Sequence, residues 1–504
     1  MRVLLVSTYE LGHQPLHVAS PAAALRKAGH EVRCLDLSVE RWDAGALEWA
    51  QAAGFSVPMH TAMRLAMRAA AGVRRARPEL PVCFYGLYAP VSRDLTVGAL
   101  ADRAIAGEYE PALTAWVGEL AAGGPPDARA DEALIQLGRG EFELPARDLL
   151  PPLERYAHLA LGGDERLVGY VEASHGCVHR CRHCPVPPVY DGRIRIVGAD
   201  TVVRDIARLV ELGARHITFG DPDFLNGRRH SLRVVQAMHE RFPDLTFDCM
   251  TKVEHILRDA VLWPALAGAG CLFVVSAFES VNDEILERLD KGHTTEEAAR
   301  AIALLREQGI EIRPSWMPFT PWTTPGDVVE MLDFVAEHDL VGNVDPVQYT
   351  IRLLSPKDRC CLSAATCART SAATTPSGSA TGGPRSTPTA TASRPASRRS
   401  SSRARRAPSR SPRRSRRCAR RRSRRLGDRR RPPAAPSRSS PARPRGGHGS
   451  PSRGSAERSP PRASSALSTR CSRPSRIPTF GRHEELARRY SVMTWSGGLP
   501  DSAR

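Results

Sequence analysis

Three cysteines, Cys177, Cys181 and Cys184, stand close together in GCVHRCRHCPVPPVY (residues 176–190), spaced C-x3-C-x2-C. Thiolates are soft ligands, and a tight loop can aim three of them at one iron–sulfur cluster. Three ligands on a four-iron cubane leave one iron open. Catalytic metal sites keep such a position free, whereas structural zinc sites close all four. The interleaved His175, His179 and His183 could supply a fourth zinc ligand, so a structural zinc knuckle is the competing reading.

Further chemistry-bearing residues follow downstream. Asp221 and Asp223 lie in HITFGDPDFLNG, Lys252 in CMTKVEH, and Glu279 and Ser280 in SAFESVNDEI. All but Glu279 have a plain structural alternative: an Asp-capped turn, a solvated lysine, a helix cap at Ser280.

Apolar runs and periodic helices divide the chain into elements that would position these residues. In residues 1–123, strands are expected at Arg2–Ser7, Glu31–Leu37, Ala53–Val57, Pro81–Leu87 and Arg103–Gly107. Helices are expected at Pro21–Gly29, at Thr61–Arg77 and after Pro111. That alternation predicts a small doubly wound, flavodoxin-like sheet, with ligands at the strand carboxyl ends, Gly107-Glu108 among them. Residues 124–167 read as a linker with one short helix. From 168 to 355 strands are expected at Val168–Ala173, His216–Phe219, Leu245–Cys249, Leu272–Ser276, Glu311–Trp316 and Val347–Leu353. Helices between them include Ala199–Leu212, Leu232–Arg241, Asn282–Leu289 and Thr295–Gln308. Six such units describe an open (β/α)6 barrel whose chemistry belongs at the strand carboxyl ends, where the cysteines fall.

The formal net charge of +18 hides a split. Residues 356–504 hold 36 of the 72 Lys and Arg but 6 of the 54 acids, so this tail is +30 and the rest is −12. Between 356 and 476 the large apolar side chains are Leu362, Leu426 and Leu467 alone, too few to offset ordering entropy, and a disordered basic tail is expected. It reads as a non-specific nucleic-acid binder, as a solvated extension, or as the product of a frame shift near Pro356; the abrupt boundary favours the shift. No stretch approaches 18 uninterrupted apolar residues and the start lacks a signal peptide's pattern, so no membrane span and a reducing cytoplasm are expected.

The cysteine motif and the order of elements after it resemble the radical SAM superfamily. That resemblance implies a 4Fe-4S cluster on Cys177, Cys181 and Cys184, with S-adenosylmethionine on the open iron and reductive cleavage to a 5′-deoxyadenosyl radical. It implies further that Asp221, or Asp223 in second place, holds the SAM amino group, that Lys252 pairs with its carboxylate, and that Glu279 and Ser280 face the pocket. His183 stands where the family usually has an aromatic residue, and an imidazole can pack there. The N-terminal domain precedes the barrel as the cobalamin-binding domain does in the B12-dependent branch, which implies cobalamin and a methyl transfer. The axial-histidine element of many cobalamin proteins is absent, His13 standing in that loop without it, and cobalamin binding is left open. Residues 1–355 look like the CUAEP/CCAEP-tail radical SAM group, through MHTAMRLA, YGLYAP, GDPDF, KVEH, PFTPWTT and DPVQYTIRLL. The implied partners are a small-molecule or peptide substrate and a reductase, flavodoxin or ferredoxin as electron donor. A methylthiolating enzyme fits less well, since the N-terminal domain offers only Cys34 and Cys83. The alternative of another class is a zinc- and nucleic-acid-binding protein acting through its tail.

Overall fold

The computed structural model describes residues 1–127, 134–138, 141–161 and 163–353. The tail expectations, disorder and frame shift alike, lie outside the described residues. Among the described residues no helix is long and apolar enough to cross a membrane.

The first sheet is built from β1 (Arg2–Ser7), β2 (Glu31–Asp36), β3 (Ala52–Ser56), β4 (Val82–Tyr85), β5 (Arg103–Gly107) and β6 (Leu134–Gln136). All neighbours are parallel, in the order β2-β1-β3-β4-β5-β6. Alternate residues of each strand feed opposite faces. Leu4, Val6, Phe55 and Phe84 pack with Met63 and Val73 on one side. Val3, Leu5, Cys83 and Ile105 pack with Leu25, Leu113 and Trp116 on the other. This is the doubly wound sheet expected from the sequence, lengthened by β6 from the stretch read as linker. That stretch also supplies two short 3-10 helices, Arg147–Leu149 and Leu153–Arg155, in place of one helix. The first helix runs Leu16–Lys27 and encloses Pro21 rather than starting there. An interior proline costs about 3 kcal/mol; burial of Leu16, Val18 and Ala19 on the same face offsets it.

The second sheet begins with β7 (His158–Leu161) and β8 (Asp164–Val171). A two-stranded ribbon, β9 (Ser174–Gly176) with β10 (Ile194–Ile196), follows, and then β11 (His216–Phe219), β12 (Thr246–Met250), β13 (Cys271–Glu279) and β14 (Glu311–Trp316). The sheet order is β14-β13-β12-β11-β8-β7. The five strands from β8 to β14 are parallel and form the half-barrel; β7 is antiparallel to β8. Of the sixth strand expected at Val347–Leu353, Pro346–Thr350 is instead a 3-10 helix, and beyond it Arg352 forms an isolated parallel bridge with Phe319. Gln348 Oε1 accepts from the Trp316 amide at 3.1 Å, so a side chain caps the edge where a backbone ladder was expected. Phe219, Phe247, Phe278 and Trp316 fill the barrel core.

Candidate metal centre

The cysteine loop leaves the carboxyl end of β8 and is tied at its base by the β9–β10 ribbon, with Gly176 opposite Ile194. Gly176 has φ +77, and a Cβ there would lie 2.3 Å from the Arg193 carbonyl oxygen, so only glycine fits. Beyond Cys184 the short helix Val186–Tyr190 returns the chain. Cys177 and Cys181 are buried and Cys184 is half-buried. An apolar wall of Ala106, Val186, Val189 and Tyr190, with Leu87 and Leu137, packs against Cys177 and Cys184. Burial pushes the Cys177 thiol up and the Cys184 thiol up to about 12. Thiols in such a setting ionise when a metal compensates their burial.

These residues fit a cluster on a further observation. Asn226 Oδ1 accepts from the Val178 amide at 3.3 Å and from Cys177 Sγ at 3.8 Å. Its Nδ2 is buried and has no partner among the described residues. That leaves an amide donor beside Cys177, suited to a metal-bound sulfur.

The other sequence candidates surround the loop at the strand ends. Asp221 is fully buried and accepts from the Ala173 amide (2.9 Å) and Ser174 Oγ (2.6 Å). Burial raises its carboxyl to about 7 against these two hydrogen bonds. Asp223, also fully buried, accepts from Thr251 Oγ1 at 2.7 Å and stands 2.9 Å from His255 Nδ1. Lys252 is buried with Nζ 3.4 Å from Glu254 Oε2. Glu279 takes φ +66 at the irregular end of β13, a strained backbone. Its Oε1 lies 3.2 Å from both His183 Nε2 and Lys291 Nζ. Burial would raise Glu279, but Lys291 and His183 outweigh it and hold the carboxyl well below its usual range. Ser280 Oγ accepts from the Asn282 amide at 3.0 Å, ahead of the helix that Asn282 caps.

Some groups here have neighbours that the sequence did not reveal. His179, Glu254 and His255 bring ligand atoms within 4.8 Å of one another. The Lys252 ammonium beside Glu254 opposes a cation there. Lys291, in the Lys291-Gly292 pair after the helix Asp283–Leu289, meets Glu279 only in the fold. His13 stacks on Tyr170 at 4.9 Å, against β8.

A second unforeseen cluster joins the two sheets. His17 Nε2 lies 3.3 Å from Glu172 Oε1, and His17 Nδ1 is 2.8 Å from the Tyr109 hydroxyl. Burial opposes the charge on His17, but Glu172 and Glu10 outweigh it and raise the imidazole to about 9. Burial likewise opposes ionised Glu172, and His17 and His175 outweigh it, lowering the carboxyl to about 2. The His17 contribution is therefore complete below pH 6.5 and lost as pH climbs through 9; that of Glu172 is complete above pH 4.5 and lost as pH falls through 2. His17→Gln should cost about 3 kcal/mol at most. The loss should be largest between pH 4.5 and 6.5 and shrink above pH 9, as read by denaturant unfolding at each pH. A loss that stays flat with pH would sink the ion-pair assignment.

Residues 171–335 match the family model for the Radical SAM superfamily. The chain thus carries a radical SAM domain behind a doubly wound α/β domain. Its relatives include an uncharacterized methyltransferase of Pyrococcus horikoshii, 24% identical over 44% of this chain and 45% of that one. The hopanoid C-3 methylase of Methylococcus capsulatus is 23% identical over 61% of this chain and 62% of its own. The chain spans about half the length of the first of these. Among solved structures, the radical S-adenosylmethionine methyltransferase TsrM of Kitasatospora setae, with cobalamin and a [4Fe-4S] cluster bound, is similar at TM-score 0.53 and 19% identity. It covers 67% of this chain and 70% of that one. The cobalamin-dependent S-adenosylmethionine radical enzyme OxsB is similar at TM-score 0.52 and 16% identity, over 66% of this chain and 52% of that one. At these identities the likeness is one of fold.

Proposed function

We propose that the chain is a radical SAM enzyme whose 4Fe-4S cluster is held by Cys177, Cys181 and Cys184. The observation that carries this is three thiols from one glycine-tied loop at the carboxyl ends of parallel strands, within residues that match the radical SAM model. When bound, the cluster would supply the electron that cleaves S-adenosylmethionine reductively to methionine and a 5′-deoxyadenosyl radical. The chain's own part is to orient and to exclude water. Asp221 pins the start of the loop through Ala173 and Ser174, and Glu279 sets the His183 ring beside Cys184. Lys252, Asp223, Glu279 and Ser280 surround the position for SAM. Cobalamin would sit at the strand ends of the first sheet and make the reaction a methyl transfer. That part rests on likeness to TsrM and OxsB, both solved with cobalamin bound, and to the hopanoid methylase. A small-molecule or peptide substrate, a flavodoxin or ferredoxin donor and a reducing, cytoplasmic setting complete the reading. The zinc- and nucleic-acid-binding alternative draws on the tail, outside the described residues, and gains no support from these similarities.

Anaerobic reconstitution with iron and sulfide should give a brown protein with about four of each per chain. Dithionite-reduced protein should then cleave S-adenosylmethionine to 5′-deoxyadenosine. Titration with hydroxocobalamin should yield a base-off spectrum that His13→Ala barely changes. Zinc in place of iron after anaerobic preparation would overturn the reading; absence of cobalamin binding would remove only the methyl-transfer part.

A further inference from the structure

One carboxylate of the first sheet reaches across to both flanks of the cysteine loop. Glu108 is the residue after β5 and is buried. Its backbone is held by close approach to β6. A Cβ at Gly107 would lie 2.0 Å from the Gln136 carbonyl oxygen, and the Glu108 amide donates to that same oxygen at 2.8 Å. Glu108 Oε2 is 3.0 Å from His175 Nδ1, and Glu108 Oε1 accepts from the Tyr190 hydroxyl at 3.1 Å. His175 precedes Cys177 by two residues in β9, and Tyr190 ends the short helix after Cys184. His175 is steadied from behind by Glu172, whose Oε2 lies 3.3 Å from Nε2. Ala106, the residue before Gly107, belongs to the wall against Cys177 and Cys184, as does Leu87, two residues past β4.

From this geometry we infer that Glu108 is a positioning residue for the metal centre. The N-terminal domain would then clamp both ends of the cysteine loop, so that cluster retention depends on a residue outside the radical SAM domain. The inference rests on the cluster assignment above. The physical reason is that the eight-residue loop from Cys177 to Cys184 has few backbone hydrogen bonds of its own, so ties at its two ends restrict the motion of all three thiols. A carboxylate is the side chain that can accept from two donors at once, one on each flank.

The test uses the full chain, reconstituted anaerobically, with iron release to a chelator and the electron paramagnetic resonance spectrum of the reduced cluster as readouts. Glu108→Ala should keep its circular dichroism, release iron about tenfold faster than the parent, and show a shifted or broadened signal. Glu108→Gln still offers one acceptor to Tyr190 and an amide to the His175 ring, and should recover most of the parent behaviour. Tyr190→Phe removes a single hydroxyl, is the mildest variant, and should release iron about threefold faster. In the Glu108→Ala background it should add nothing further. Parent-like iron release and spectra in both Glu108→Ala and Tyr190→Phe would overturn the inference. Should Glu108→Ala fail to fold, a parent-like Tyr190→Phe would overturn it alone. A parent that holds no iron would instead overturn the cluster assignment, so the two failures are distinguishable.

Discussion

Replacing Cys177, Cys181 and Cys184 together by Ala should leave a folded protein that holds no iron after anaerobic reconstitution. Iron should fall from about four per chain to background, and reductive cleavage of S-adenosylmethionine should disappear with it. Fold survival is expected because the loop lies outside both sheets. The cores rest on Leu4, Phe55 and Phe84 in one and on Phe219, Phe247 and Phe278 in the other, none of which depends on the loop. Cys34→Ala is the matched control: this thiol sits on β2 and packs against the apolar core of the first sheet, apart from the wall around Cys177 and Cys184. The triple variant should differ from it in iron content while matching it in thermal unfolding. Retention of the full iron complement by the triple variant would remove the three cysteines from the site.

The largest expected loss of stability is at Arg147. Its side chain is 2% exposed and faces Asp205, itself 5% exposed, on the helix Ala199–Glu211. Arg147 Nε donates to Asp205 Oδ1 at 3.1 Å and Nη2 to Oδ2 at 2.8 Å. The same guanidinium donates to Gln14 Oε1 at 3.2 Å and to the Tyr170 carbonyl at 2.7 Å. It therefore ties the loop after β1, the strand β8 and a barrel helix through one planar group. Arg147→Ala strands a buried carboxylate and should cost about 3–5 kcal/mol. Arg147→Lys should lose much of the same amount, since an ammonium cannot span four acceptors in a plane. Arg147→Met combined with Asp205→Leu should recover most of the loss, because an apolar pair needs no compensation for burial. Denaturant midpoints would check all three; an Arg147→Ala variant within about 1 kcal/mol of the parent would show that the pair is solvated.

The fold was legible wherever the signal was local. Arg2–Ser7, Arg103–Gly107, His216–Phe219 and Glu311–Trp316 are strands with the bounds expected from their apolar runs. The helix Thr295–Glu307 starts at the capping box of Thr294 and Glu297, three residues apart in sequence and therefore readable there. Misreadings arose where partners were distant. The helix Leu16–Lys27 passes through Pro21 because its buried face, set by the sheet beneath, outweighs a local breaker. Pro346–Thr350 is not a strand because Gln348 meets β14 through its side chain.

What the sequence by itself determined is the set of donors and their local spacing: three thiols in one loop, a glycine at its base, acids at strand ends, and the charge split between body and tail. Those features depend on neighbours within a few residues, so composition and periodicity expose them. Only the tertiary structure decided which distant groups meet. Glu108 and His175 are 67 residues apart, Glu279 and His183 96 apart, and Arg147 and Asp205 58 apart. Such pairs leave no periodic trace, because each is chosen by where two separate strand ends or helices come to rest against each other. The same burial that brings them together removes water, and with it any substitute partner.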